Sequence, residues 1–192
     1  MVVEKRARDS QRGKLYRWGW DTLEVSGVDK HLTAKQGQTL VYNAIAWWFK
    51  LDKNQTALLK NGYSAKLPSP LHRSRSEKAK GKMGGLRNVN SPDFRIKKAG
   101  STTAHASNYE IAIPAQRNSV AVILHETAHF ICGRWGVQRA DGVHGPIFAR
   151  VLIELLKRFG KRDRDQMERD AKKYKVKVAP RSRILRPQRV QK

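Results

Sequence analysis

Apolar residues recur along this chain at two spacings, which separate strands from helices. Between residues 15 and 20, Tyr16, Trp18 and Trp20 alternate with Arg17 and Gly19. That period of two predicts a strand with an aromatic core face. Leu40, Val41, Ala44, Ile45 and Trp48 recur at helical spacing, predicting a helix over residues 33–50 with Thr33 as its cap. Short strands are expected at 94–98 and at 109–114, where Tyr109, Ile111 and Ile113 alternate with Glu110 and Ala112. Helices follow at about 119–132 and 146–159, with a charged one at 164–174. Asn118 or Ser119 offers an N-cap for the first of these and Gly133 a stop.

The remaining stretches lack periodicity. Residues 61–92 are punctuated by Pro68, Pro70, Gly81, Gly84, Gly85 and Pro92, and read as a basic loop. Their glycines lack the spacing of a phosphate-binding P-loop. Residues 1–14 read as a basic flexible arm. The last fourteen residues carry Pro180, Pro187 and five Arg/Lys, and read as disordered. The expected organisation is one domain over residues 15–160, with a basic loop at about 72–92. A basic C-terminal helix and tail occupy 161–192. No internal repeat is found.

Composition sharpens this picture. The chain has 192 residues, enough for one domain, and a net charge of +24. The excess is uneven: residues 150–192 hold sixteen basic against five acidic side chains, and no acid follows Ala179. Such density repels itself unless a polyanion neutralises it, so non-specific contact with DNA or RNA is expected. No helix-turn-helix or zinc-finger signature accompanies the charge. No apolar run approaches the ~18 residues a membrane span needs, and no apolar leader follows Met1. A single cysteine, Cys132, excludes an internal disulfide framework. A reducing, cytoplasmic setting is the expectation.

Residues 125–129 read His-Glu-Thr-Ala-His. Two histidines four apart share one side of a helix, one turn (~5.4 Å) apart, where both imidazoles can hold one metal ion. Glu126 can then act as general base toward a water on that metal without ligating it. Chance supplies only about 0.007 such matches at this composition. On a helical wheel Val120, Ile123, Leu124, Thr127 and Ile131 cluster on one side, and His125 and His129 fall ~140–180° away. The helix therefore has an apolar back and a histidine front.

A catalytic zinc site needs a third protein ligand. His144 is the first candidate, in the turn Gly142-Val143-His144-Gly145-Pro146 that opens the next helix. Glu154 is the alternative, Asp141 a weaker one, and Cys132 is placed too far along the helix axis. Tyr109, His105 and Arg139 are candidates to stabilise an oxyanion.

The set His125-Glu126-Thr127-Ala128-His129 with His144-Gly145-Pro146-Ile147-Phe148 resembles the SprT-like zincin metallopeptidases. The metzincin pattern fails, because Cys132 and Trp135 stand where Gly and His are required. Together with Arg8-Asp9-Ser10-Gln11-Arg12 and Lys14-Leu15-Tyr16, the site region is also similar to a family of actinobacterial and phage metallohydrolases of unassigned substrate. The resemblance implies an α+β, zincin-like domain in which the active-site helix and the helix after it pack on a short sheet. It implies Zn2+ on His125, His129 and His144, with Glu126 catalytic. It also implies that the strand at 109–113 lines the cleft and pairs with an extended peptide. The expected activity is hydrolysis of peptide bonds in proteins on or near nucleic acid. The alternatives are a nuclease or amidase, or a nucleic-acid-binding protein with an inactive metal site.

Overall fold

The computed structural model describes residues 9, 11–24, 31–49, 65–67, 87–89, 92–98, 100–107, 110–135 and 142–183. Among these, helix α1 (Arg12–Trp18) continues into a π-helical turn (Gly19–Glu24). Helix α2 (Ala34–Trp48) starts at a capping box, in which the Thr33 side chain and Gln36 satisfy each other's backbone N–H. Strands β1 (Ala65–Leu67) and β2 (Arg87–Val89) form an antiparallel pair. Strands β3 (Asp93–Lys97), β4 (His105–Ala106) and β5 (Glu110–Pro114) form a three-stranded sheet. Helices α3 (Val120–Trp135), α4 (Pro146–Phe159) and α5 (Arg164–Lys173) complete the α+β domain.

The sheet order is β3-β5-β4, with β5 parallel to β3 and antiparallel to β4. Ile111, Ala112 and Ile113 are all fully buried, as a central strand requires. Helix α3 packs against α2, α4 and both β4 and β5, which makes it the axis of the core. Its expected apolar side is buried at Ile123, Leu124, Thr127 and Ile131. Val122, Ala128, Phe130 and Cys132 are buried as well, so little of α3 beyond the histidine side reaches solvent. At Gly37 an added Cβ would collide with the Phe94 ring, so glycine permits the close approach of α2 to β3.

Several elements follow the expected boundaries and their chemistry. Ser119 caps α3, its hydroxyl accepting from the Val122 N–H at 3.3 Å. Asn118 instead bonds through side chain and backbone to Leu32, tying the start of α3 to the entry of α2. Pro146 occupies the first turn of α4, Gly160 ends it, and Asp163 caps α5.

Other expectations are corrected. Residues 12–18 form a helix and not a strand. Leu15 and Trp18, three apart, are both fully buried; over six residues this helical spacing coexists with the alternation of Tyr16, Trp18 and Trp20. Helix α3 runs past Gly133 to Trp135, since one internal glycine costs only ~1 kcal/mol. Residues 65–67 and 87–89, read as loop, pair as strands; residues 68–86 lie outside the described set. The domain also does not close at 160. Met167, Ala171, Val176 and Ala179 belong to the same core, and the Ala179 N–H donates to the Pro146 carbonyl at 2.9 Å. Nor is residue 11 part of a free arm, because Gln11 is buried. The tail beyond 183 lies outside the described residues. Among the described residues, no helix is long and apolar enough to cross a membrane.

Candidate metal centre

Helix α3 presents His125 and His129 from consecutive turns, and their Nε2 atoms lie 3.1 Å apart. His144 enters from the turn before α4. That turn is closed by a Gly145 N–H to Gly142 carbonyl bond of 3.2 Å. Gly142 sits at φ +83°, a conformation glycine adopts without penalty. One nitrogen from each of the three rings falls within 4.8 Å of the other two. Two nitrogens bound to one tetrahedral zinc at ~2.0–2.1 Å stand roughly 3.3 Å apart, so the cluster has the size of a single-ion site.

An unpartnered atom tests the fit. His144 Nδ1 is 2.7 Å from Asp9 Oδ2, while His144 Nε2 is buried with no hydrogen-bond partner. A buried imidazole nitrogen without a partner is costly unless something occupies its lone pair. Three imidazoles around one point suit zinc in their number and donor type.

The surroundings favour the neutral, ligating form of His125 and His129. Burial, aided by His144, pushes His125 down to about 3. Burial and the two neighbouring histidines hold His129 well below the usual histidine value. Both rings are thus neutral at neutral pH, the form in which an imidazole ligates a metal. Burial raises Glu126 to about 7, offset in part by the positive charge of Lys97. Lys97, at the end of β3, donates to the Thr103 carbonyl at 2.8 Å. A carboxyl poised near neutrality is suited to accept and return a proton.

Aromatic rings enclose the cluster. Phe148 on α4 stacks on His129 at 4.3 Å between centroids and meets His125 edge-on at 5.1 Å. Tyr16 on α1 stacks on His125 at 5.8 Å and stands 5.3 Å from His144. Phe148 thus packs against both α3 histidines, and Tyr16 against His125 and His144.

Glu154, the alternative third ligand, is not in the cluster. Its carboxylate is buried and takes Arg164 at 2.9 Å, with Arg150 and Arg181 each at 3.5 Å. Arg150 also bonds Glu168 at 2.5 Å and the Ala179 carbonyl at 2.7 Å. The role of Glu154 is therefore to bind the C-terminal stretch to α4. Cys132 is buried in the core and outside the cluster. Asp141, Tyr109 and Arg139 lie outside the described residues. His105 is exposed and 3.5 Å from Glu110 on the neighbouring strand.

The strand implied to bind peptide is also reassigned. Strand β5 already has β3 on one side and β4 on the other, so its central residues cannot take a peptide. Sequence reasoning passed over Asp9, Gln11 and Tyr16 as site residues. Periodicity carries no mark for them, because their partners lie more than a hundred residues away. The available signal was the pair of stretches Arg8–Arg12 and Lys14–Tyr16 in the resemblance. No family model matches the chain, and no curated protein or solved structure matches it either.

Proposed function

We propose that this chain is a zinc-dependent metallohydrolase, a peptidase of the SprT-like kind, acting on proteins at or near nucleic acid in a reducing, cytoplasmic setting. The observation that carries this reading is the convergence of three imidazole nitrogens, two of them from a His-Glu-x-x-His helix whose glutamate is buried. His125, His129 and His144 would hold the zinc. When bound, zinc polarises a carbonyl and lowers the pKa of water to about 7. Glu126 takes the proton from the attacking water and returns it to the leaving amine. Tyr16 and Phe148 keep the histidines in place and shield them from bulk water. Among the described residues β4 is the antiparallel edge strand of the sheet and packs against α3, and an extended peptide would pair there.

Incubation with a basic DNA-binding protein, with and without DNA, tests the reading. DNA-stimulated, chelator-sensitive cleavage of that protein is the expected result. Cleavage of the DNA instead would transfer the assignment to a nuclease.

Contact with nucleic acid follows from the charge of +24. Affinity is expected to fall steeply between low and moderate salt, as counterion release requires. A deletion to test this must spare Ala179 and Arg181, which are held by Arg150 and Glu154. Removal of residues 184–192 takes away Arg186, Arg189 and Lys192. It should reduce the slope of log K against log salt by up to roughly 0.9 for each phosphate those side chains neutralise. Binding that ignores salt would refute the electrostatic account.

A further inference from the structure

We propose that Asp9, anchored through Gln11, is a positioning residue that fixes the ring tautomer and orientation of His144. The proposal rests on reading the three histidines as a metal centre. A carboxylate accepts hydrogen bonds and does not donate them. The 2.7 Å contact of Asp9 Oδ2 with His144 Nδ1 therefore places the ring proton on Nδ1. The lone pair then resides on Nε2, the atom left buried and unpartnered. A free imidazole has no such constraint; here the carboxylate selects the tautomer that can ligate. It also strengthens the ring as a donor, as carboxylates behind metal-binding histidines do.

Asp9 reaches His144 across 135 positions of sequence, so something must hold it there. Gln11 does so. Its Nε2 donates to the carbonyls of His144 at 2.7 Å and Lys177 at 3.1 Å, and its Oε1 accepts from the Lys177 N–H at 2.9 Å. One buried amide thus fastens the segment before α1 to the ligand turn and to the stretch after α5. Tyr16, one turn further along α1, completes the contact with His125 and His144. Asp9, Gln11 and Tyr16 are accordingly part of the site. Their docking and metal binding act on the same ring, so each must strengthen the other by the same factor.

Two measurements test this on the full chain. Zinc affinity, read by competition with a chromogenic chelator, should weaken about 10–100-fold in Asp9→Ala, with the far-UV circular dichroism unchanged. In metal-free protein, ¹⁵N spectra of labelled histidine should show His144 protonated on Nδ1 in wild type and redistributed toward Nε2–H in Asp9→Ala. Unchanged affinity together with an unchanged tautomer would overturn the proposal. A wild type that takes up no zinc would overturn the metal reading itself, and the tautomer spectra would still judge Asp9. Should Asp9→Ala not fold, Asp9→Asn replaces it. That amide keeps the size but is a weaker acceptor, so several-fold weaker zinc binding is expected, and wild-type affinity would overturn the proposal.

Discussion

Glu126→Gln is expected to lower turnover by about 10²–10⁴, the usual worth of general acid–base catalysis, while zinc content and nucleic-acid binding stay at wild-type levels. The glutamine matches glutamate in size, so the buried site of Glu126 on α3 remains filled. What it loses is the ability to accept a proton. Glu126 follows His125 directly on α3, is buried, and is not among the three side chains whose donor atoms converge. Burial raises it to about 7, which suits a group that must both take up and release a proton near neutrality. The measurement is single-turnover cleavage of the protein substrate by zinc-loaded wild type and variant. Equal rates would remove Glu126 from the mechanism.

Exchanging the two rival third ligands should separate metal binding from stability. His144→Ala removes one of the three converging nitrogens. Its zinc affinity should drop by more than the ~10–100-fold that an outer partner of a ligand is worth. Glu154→Ala should retain stoichiometric zinc, because its carboxylate faces Arg150, Arg164 and Arg181. Its cost lies elsewhere. Arg150 is buried, and stripping a buried arginine of one carboxylate destabilises a fold by up to about 3–5 kcal/mol. Metal analysis of the purified proteins and their denaturant midpoints give the two readouts. Zinc retained by His144→Ala and lost by Glu154→Ala would reverse the assignment.

The contrast between these two residues shows where local pattern stops being informative. Both follow the His-Glu-x-x-His helix, both are buried, and both are plausible metal donors by residue type. They differ in what surrounds them. His144 has an aspartate behind it and an unpartnered nitrogen in front. Glu154 has three guanidinium groups, two of them from residues beyond the end of α4. No spacing in the sequence encodes those neighbours.

By itself the sequence determined the elements whose cause is local. The apolar stripe of α2 with its Thr33 cap, the Pro146 start of α4, and the opposed apolar and histidine sides of α3 all arise within one or two turns. The pairing of His125 with His129 is of the same kind, since helical rise alone brings residues four apart together. Tertiary structure decided the rest. Residues 12–18 became helical because Leu15 and Trp18, three apart, are buried together in the core, although the alternation of Tyr16, Trp18 and Trp20 fits a strand equally well. The charged stretch after 160 joined the domain through four apolar residues, Met167, Ala171, Val176 and Ala179, whose value depends on the α4 surface they meet. Asp9, Gln11 and Tyr16 entered the site by contacts spanning more than a hundred residues. Periodicity reports which side of a segment is apolar. It does not report which distant segment that side, or a lone polar side chain beside it, will meet.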